Sequence, residues 1–458
     1  MKRRRFLGLL AATAFAATLL VQPALAAEGT WKVGLATTKI TPKKPMWLSG
    51  YGGRNKPSEG KLHDLWVKVI ALQDADGKTA VVLSADLLGF PKGVYNSLCK
   101  KIEAKTGIAR KDLMLTVTHT HTGPVLLNAL PDLFELDAEQ TKRIVDYTAE
   151  LETMIVDTVA KALADRKPAT IWTGQGKTDF AVNRRNNRES QVPAIRKAGG
   201  KLKGPVDHAV PVLAIRSPQG KLRAVLCGYA CHGTTLSYYK WSGDYSGYTQ
   251  ESLEKNHPGV QAMFYIGCGA DQNPLPRRTE ELCEKYGNML TKAVEDVLAK
   301  PMQPVSPKLK TAYEQITLKY GDPPSKEELQ KRAKTNNYNG RRAKRMLAIL
   351  KEHKQFPQTY KGYPLQAWKL GDDQLWISMG GEVVVDYALS FKSKYGKNTW
   401  VTGYANECMF YVPSDRVRKE GGYESAAFHV YGLPADTWAA GIEENINNCV
   451  GRLVKQVD

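Results

Sequence analysis

The stretch Leu113-Met114-Leu115-Thr116-Val117-Thr118-His119-Thr120-His121-Thr122-Gly123-Pro124 joins an apolar run to two histidines. The apolar run is typical of a buried strand, and Gly123 and Pro124 end it and open a loop. In a strand, residues i and i+2 project to the same side, so both imidazoles can reach one point. Such a pair indicates a metal site, with zinc as the best-suited metal. A hydrogen-bonded histidine pair with a structural role explains this run alone equally well.

Other apolar runs end in polar residues in the same way. They occupy residues 80–85, 222–231, 262–266, 375–379 and 399–402, and His232 and Glu382 follow two of them. Helical patterns lie between several runs, at about 91–106, 138–165, 246–255, 278–299, 383–394 and 436–454. Strands that alternate with helices predict an α/β fold, a mixed layered sheet covered by helices. Functional sites of such sheets collect at strand ends, so these polar ends predict one site assembled from distant sequence.

The N-terminus predicts export. Lys2-Arg3-Arg4-Arg5 precedes an uncharged stretch over residues 6–27, and Ala24-Leu25-Ala26 is a small-residue cleavage signal. Arg3-Arg4-Arg5-Phe6-Leu7 is typical of the twin-arginine leader, although an ordinary secretory signal or an uncleaved anchor would share some of these features. We predict a signal peptide over residues 1–26, a mature chain over 27–458, and a periplasmic or extracellular location.

Composition limits the partners. The 458 residues carry a formal net charge of +19, and removal of the four basic leader residues leaves +15. This charge favours an anionic membrane surface or polysaccharide, whereas no nucleic-acid motif occurs in the sequence. The seven cysteines are too sparse for a disulfide scaffold, and nothing in the sequence sets the oligomeric state.

One basic segment departs from the alternation of strands and helices. Residues 325–354 contain ten lysines or arginines around the turn Asn336-Asn337-Tyr338-Asn339-Gly340. Ala343, Met346, Leu347 and Leu350 form a helical apolar stripe. We predict a basic helical hairpin inserted at 322–360. Its charges form either a solvated face or a docking surface for an anionic partner.

The motifs of several enzyme classes are missing from the sequence. It contains no complete dinucleotide fingerprint, no Walker sequence, no G-x-S-x-G elbow and no H-E-x-x-H. His119, His121, His232 and Glu382 remain as nitrogen and oxygen ligands, each placed after an apolar run. Because their spacing is wide, the fold would have to bring them together, which suits a catalytic metal with an open position.

These motifs resemble the neutral/alkaline non-lysosomal ceramidase family, in its N-terminal catalytic domain. The resemblance extends from Trp31 to about Gly432. It is carried by residues 33–42, 49–52, 118–124, 231–234, 242–245, 381–382, 403–406, 411–412 and 423–424.

The resemblance implies a set of site residues. Zinc would be held by His119, His232, Glu382 and Tyr423. His121 would carry protons to the leaving amine, and Arg184 and Tyr431 would stabilise the reacting carbonyl. Substrate contacts are assigned to Gly52, Asp271, Gln272 and Asn273.

The implied function is an exported zinc-dependent amidohydrolase that cleaves N-acyl sphingosine or a related N-acyl lipid. One departure affects the substrate: the family's Asn-x-Ser-Pro-Asn segment corresponds here to Gly269-Ala270-Asp271-Gln272-Asn273-Pro274, which has no serine. Buried amides in this segment predict a more polar substrate than long-chain ceramide. The alternatives are a zinc hydrolase of another amide or ester, and a non-catalytic binding protein on the same scaffold.

Overall fold

The computed structural model describes residues 30–458, so the expected leader at 1–26 lies outside the described residues. The described residues form nineteen strands: β1 (Trp31–Lys39), β2 (Gly60–Lys61), β3 (Trp66–Gln73), β4 (Thr79–Ala85), β5 (Leu113–Val117), β6 (Lys167–Lys177), β7 (Ala181–Asn183), β8 (Ala209–Arg216), β9 (Leu222–Tyr229), β10 (Lys240–Trp241), β11 (Gln261–Ile266), β12 (Gln272–Pro274), β13 (Gln303–Val305), β14 (Leu309–Lys319), β15 (Thr359–Leu370), β16 (Gln374–Met379), β17 (Glu382–Val383), β18 (Trp400–Thr402) and β19 (Tyr411–Val412).

Twelve α-helices lie in the same part of the chain. They are α1 (Lys92–Thr106), α2 (Ala138–Ala164), α3 (Val192–Lys197), α4 (Asp244–Asn256), α5 (Glu280–Leu298), α6 (Lys326–Arg332), α7 (Tyr338–His353), α8 (Val385–Tyr395), α9 (Asp415–Glu420), α10 (Tyr423–Ala426), α11 (Phe428–Tyr431) and α12 (Ile442–Val457). None of the helices over residues 30–458 is long and apolar enough to cross a bilayer.

The larger sheet has the strand order β11-β9-β8-β6-β1-β3-β4-β5, and β13 also pairs with β6. Two pairs are parallel, β11 with β9 and β4 with β5, and the other pairs are antiparallel. Strands β4, β5 and β11 are buried on both faces because both faces of the sheet are covered there. In β4, Val81 and Leu83 pack on the helix side, whereas Ala80 and Val82 pack on the opposite side.

A second sheet covers that opposite side. It has the order β14-β15-β16-β18 and contributes Trp368, Trp376 and Trp400 to the cluster that includes Val82. The Tyr265 and Trp376 rings meet between the sheets with centroids 5.0 Å apart. Helices α1, α2, α4 and α5 cover the outside of the first sheet, and α12 packs on β14 and β15. The α/β fold with a mixed, helix-covered sheet is therefore confirmed.

The strand ends of the two sheets meet at one edge. An isolated bridge joins Gly267, after β11, to Thr402, at the end of β18. Asn406 extends the contact, because its backbone N–H donates to Leu115 O in β5 and its side-chain oxygen accepts from Leu115 N at 3.2 Å. The loops that follow β5, β9, β11, β16 and β18 consequently enclose one buried volume.

Helices α6 and α7 occupy the segment expected to form the basic hairpin, between β14 and β15. The arginines point inward: Arg342 and Arg332 each bind Asp436 at 2.9 Å, and Arg345 donates to the Asp132 carboxylate. The lysines of this segment are exposed and form no ion pair among the described residues: Lys326, Lys331, Lys334, Lys344, Lys351 and Lys354. The arginines therefore anchor the segment, and among its lysines and arginines only the lysines are exposed.

Candidate metal centre and active site

In the run that follows β5, the histidine and threonine side chains point to opposite sides. The hydroxyls of Thr120 and Thr122 donate to the carbonyl oxygen of Ser242, at 2.7 and 2.8 Å. The intervening His119 and His121 project the other way, with their Nε2 atoms 3.3 Å apart. Both imidazoles therefore lie on one side, and the threonines fix the run to the neighbouring loop, but β5 ends at Val117 and the histidines are not part of the strand as expected. His119 adopts a φ of 54°, an uncommon backbone conformation for a residue with a side chain.

Two histidines are oriented by backbone carbonyls. The Nδ1 of His119 lies 2.6 Å from Leu88 O, and the Nδ1 of His232 lies 2.7 Å from Gly269 O. A carbonyl can only accept, so each Nδ1 must carry the proton and each Nε2 offers a lone pair. This arrangement is the one that orients metal-binding histidines in proteins.

Glu382 lies between these two Nε2 atoms. Its Oε2 is 3.0 Å from His232 Nε2 and 3.5 Å from His119 Nε2. Its other oxygen accepts a hydrogen bond from the Tyr431 hydroxyl. Glu382 is 1% exposed and both histidines are fully buried, so the carboxylate has exchanged water for this set of partners.

Tyr411 is the fourth side chain next to His119, His232 and Glu382, and it lies on β19, the strand paired with β17. In the parallel pair β17–β19, Glu382 and Tyr411 are register partners, which brings their side chains to the same face. The Tyr411 hydroxyl lies 3.4 Å from His232 Nε2. Tyr404 is also close, with its ring centroid 4.3 Å from that of His119.

The separations of these atoms fit a metal ion. Two nitrogen or oxygen ligands of a tetrahedral zinc lie about 3.3–3.6 Å from each other, given bonds of about 2.0–2.2 Å. Glu382 Oε2 lies 3.0 Å from His232 Nε2 and 3.5 Å from His119 Nε2, and Tyr411 Oη lies 3.4 Å from His232 Nε2. The donor set of two imidazoles, a carboxylate and a phenol also suits zinc. The residues present therefore fit the metal that the sequence indicated.

His121 is held differently from the other two histidines. The three imidazoles offer nitrogen atoms within 4.8 Å of one another. However, no backbone carbonyl orients the His121 ring, and its Nδ1 has no hydrogen-bond partner among the described residues. The ring lies 4.8 Å from that of Tyr51 and under Gly50, where an added Cβ would approach Nδ1 to 2.4 Å. His121 thus belongs to the site but lacks the orientation typical of a ligand.

Arg184 connects the centre to its surroundings. Its guanidinium donates to Glu424 at 2.7 Å, to Tyr411 Oη at 3.1 Å and to Asn273 Oδ1 at 3.3 Å. Burial opposes its charge, but Tyr411 and Glu424 hold the pKa of Arg184 well above its usual range. A fixed positive charge consequently lies beside the tyrosine of the centre.

The electrostatics favour ligand-competent protonation states. Burial, assisted by Arg184, lowers the pKa of His232 to about 4, so this ring is neutral at pH 7. Burial opposes ionisation of Glu382, but His119 and His232 hold the pKa of its carboxyl well below its usual range. Burial and the neighbouring His119 and His232 lower the pKa of His121 in the same way as that of His232. Neutral imidazoles and an ionised carboxylate are the forms that bind metals.

Residues 271–273, at the start of β12, bring one of the three expected substrate contacts to the site. Asn273 faces Arg184 and lies 3.4 Å from the hydroxyl of Thr234. The side chain of Gln272 instead donates to Pro205 O at 3.2 Å, and Asp271 accepts from Asn183 and from Val385 N. Successive residues of a strand point to opposite sides, so Asn273 and Gln272 cannot both face the centre.

Tyr423 and Gly52 lie at the periphery of the site. Tyr423 is 47% exposed, its ring packs edge-on against that of Tyr411 with centroids 5.4 Å apart, and its hydroxyl forms no hydrogen bond within residues 30–458. Gly52 is exposed, and an added Cβ would lie 3.7 Å from the ring of Tyr338. The geometry therefore places Tyr411, and not Tyr423, next to the expected ligands. Tyr338, at the start of α7, lies next to Gly52 at the periphery of the site.

Tyr411 was missed by the sequence-based assignment because several tyrosines follow Glu382. Tyr404, Tyr411, Tyr423 and Tyr431 lie within 28 residues. Only the pairing of β17 with β19 identifies which one faces His232. A usable signal was the short apolar run Phe410-Tyr411-Val412, which resembles the other strands that end at the site.

The fold and the site together define an α/β protein with a buried histidine centre able to hold a metal. The chain belongs to the neutral/alkaline non-lysosomal ceramidase family, because the model of that family's N-terminal region matches residues 31–291, more than half of the chain. Membership of this family implies a hydrolase. No curated protein matches the sequence.

Solved structures have a similar fold. Neutral ceramidase from Pseudomonas aeruginosa gives a TM-score of 0.69 at 16% sequence identity, over 93% of this chain and 74% of that one. A ceramidase complexed with C2 gives a TM-score of 0.67 at 17% identity, over 89% of this chain and 72% of that one. At these identities the similarity establishes the fold.

Proposed function

We propose that this protein is an exported zinc-dependent amidohydrolase that acts on an N-acyl compound. The observation that carries the proposal is the convergence of His119 Nε2, His232 Nε2 and Glu382 Oε2 beside Tyr411 Oη, in a fully buried setting. The family supports hydrolysis, and the ceramide-type substrates of the two similar structures support an amide bond. The basic and apolar N-terminal residues support export.

The proposed ligands are His119, His232, Glu382 and Tyr411. Zinc, when bound, supplies a Lewis acid that activates water at neutral pH and polarises a carbonyl. Tyr431 holds the second oxygen of Glu382, which leaves Oε2 directed at the two imidazoles. Leu88 O and Gly269 O keep the two histidines in the correct tautomer.

The remaining residues act on the substrate. Arg184 provides the fixed positive charge that stabilises negative charge on the carbonyl oxygen. His121 is the imidazole that no backbone carbonyl orients, so it can take a proton and deliver it to the leaving nitrogen. Burial keeps this ring neutral, which is the form that accepts a proton. Tyr423 is exposed beside Tyr411, and its proposed role is to contact the substrate rather than the metal.

The proposal is tested by metal content and by turnover together. The purified chain should contain about one zinc and should hydrolyse at least one member of a panel of ceramides, smaller N-acyl amines and esters. His232→Ala should lose both metal and activity. His121→Ala should keep the metal and lose activity by about 10²–10⁴-fold, the contribution of a positioned acid or base. A metal-free wild-type protein with full activity would refute the proposal, and loss of metal in His121→Ala would make His121 a ligand.

A further inference from the structure

A polar cavity adjoins the centre on the side of Arg184. Its volume is about 570 Å³, in the range of small-molecule sites. The residues of its wall that matter here are Arg184, Arg185, Arg188, Arg277, Asn273 and Tyr423. Three of them already belong to the site: Arg184 contacts Tyr411, Asn273 contacts Arg184, and Tyr423 packs on Tyr411. The cavity and the metal centre therefore meet at Arg184, Asn273 and Tyr423.

The charges of this cavity do not balance. Glu424 is bound by Arg184 at 2.7 Å and by Arg185 at 2.6 Å. Glu189 is bound by Arg277 at 2.9 Å, and Glu420 by Arg185 at 3.0 Å.

Four arginines and three glutamates line the cavity, so one positive charge is left over. That charge belongs to Arg188, whose exposed guanidinium forms no hydrogen bond or ion pair with any residue of the described chain.

Such a wall favours an anion over an alkyl chain. Burial of a CH₂ group stabilises binding by about 0.8 kcal/mol only where apolar surface receives it. Here Leu275 and Tyr423 are the large apolar or aromatic side chains among mainly charged and amide groups. A guanidinium, by contrast, binds a carboxylate through two parallel hydrogen bonds.

We propose that the substrate carries a carboxylate close to its scissile amide, and that Arg188 and the arginine cavity bind this carboxylate. The substrate class is then small N-acyl amino acids rather than long-chain ceramides. The inference rests on the proposed amide hydrolysis, because it identifies the chemical group of that amide substrate that the arginine cavity binds. Arg188 determines specificity and takes no part in the chemical step.

A matched pair of substrates tests the inference. N-butanoylglycine carries the carboxylate, and N-butanoylethanolamine is its neutral counterpart. Wild-type kcat/KM should be higher for the glycine compound. Arg188→Gln should lower kcat/KM for that compound by about tenfold or more, the loss expected for a hydrogen bond to a charged group. The same variant should change kcat/KM for the ethanolamine compound by less than about twofold. The change should lie in KM and not in kcat, since the contact exists before the reaction.

The control is Lys292→Gln, which removes one positive charge from the exposed face of α5. It should alter neither substrate's kinetics, which excludes an effect of net charge alone. Calorimetric binding of N-butanoylglycine supplies a readout that does not require turnover. Binding that depends on Arg188 supports the inference even if neither compound is hydrolysed, an outcome that would count against the proposed function. Preference for the neutral compound, or an equal effect of Arg188→Gln on both, overturns it.

Discussion

At the residue scale, the centre depends on which atoms its side chains can direct inward. In His119 and in His232, Nδ1 donates a hydrogen bond to a backbone carbonyl, so Nε2 is the only ring nitrogen left to bind a metal. His121 has no such partner, although it is two residues from His119 and equally well placed by the sequence. The proposed difference between metal ligand and proton carrier therefore rests on the hydrogen bond to a backbone carbonyl that His119 and His232 form and His121 lacks.

Tyr411 and Tyr423 offer the sharpest test of ligand identity. Tyr411→Phe should weaken zinc affinity by roughly tenfold or more, because it removes an oxygen 3.4 Å from His232 Nε2. Tyr423→Phe should leave zinc affinity unchanged, because its hydroxyl has no hydrogen bond to the described part of the centre. Zinc affinity can be measured by competition with a chromogenic chelator. The reverse ranking of the two variants would restore Tyr423 as the ligand.

Glu407 should make the stability of the fold depend on pH, independently of the metal centre. Burial raises the pKa of its carboxyl from 4.5 to about 7, although Tyr360 donates to one of its oxygens. The folded protein therefore holds this proton more tightly than the unfolded chain does. The contribution of the protonated Glu407 carboxyl to folding stability is complete below about pH 4.5 and is lost as the pH rises through about 7. At pH 8 the ionised group should cost on the order of 3 kcal/mol.

Glu407→Gln should consequently raise the free energy of unfolding at pH 8 relative to wild type, and the gain should shrink at pH 4.5. Urea unfolding at the two pH values measures this. Glu284→Gln, on the exposed side of α5, is the control and should show no such difference. A gain of equal size at both pH values would show that packing, and not ionisation, is responsible.

At the element scale, the sequence predicted most of the structure near the site. The runs at 262–266 and 375–379 correspond closely to β11 (Gln261–Ile266) and β16 (Gln374–Met379), because strands buried on both faces are apolar throughout. The sequence also predicted that His119 and His121 lie together, but they follow β5 (Leu113–Val117) and are not part of a strand, so strand alternation is not the reason. What escaped prediction were short elements. In β12 (Gln272–Pro274), only the pairing with β7 decides that Asn273 and not Gln272 faces Arg184.

The basic segment shows the same limit. Its composition predicted helices and an apolar stripe, but composition cannot distinguish an anchoring arginine from a solvated lysine. In the structure, Arg345 binds the buried Asp132 carboxylate and Gly432 O, and Arg341 donates to Asp132 O and Leu133 O. These contacts attach α7 to the loop before α2 and to the turn after Tyr431.

Arg345→Gln should loosen this attachment, because it leaves the Asp132 carboxylate without its charged partner. We expect a loss of about 1–3 kcal/mol in local stability and faster limited proteolysis within residues 326–353. Lys344→Gln is the matched control, because this neighbour is exposed and unpaired within the described chain. If both variants are cleaved at the wild-type rate, the arginine contacts do not hold the helices in place.

At the scale of the whole molecule, the proposed ligands come from both sheets. His119 follows β5 and His232 follows β9 in the larger sheet, whereas Glu382 follows β16 in the smaller one. A metal bound to all three ties the two layers together at their shared edge. Without it, the contacts there are Gly267 with Thr402, Asn406 with Leu115, and a few loop hydrogen bonds such as Ala270 N to Val383 O at 3.1 Å.

Removal of the metal should therefore destabilise the whole fold and not the loops alone. A ligand at 100 times its Kd stabilises the folded state by about 2.7 kcal/mol, and a tightly held zinc should exceed this. For a chain of this size, such a loss lowers Tm by at least a few degrees. Calorimetry should show one transition at lower temperature after chelation and recovery of Tm when zinc is restored. His232→Ala should melt at the lower temperature and be insensitive to the chelator. If chelation leaves the Tm of a zinc-loaded wild type unchanged, the metal does not bridge the sheets, and the residues that hold it must belong to one layer.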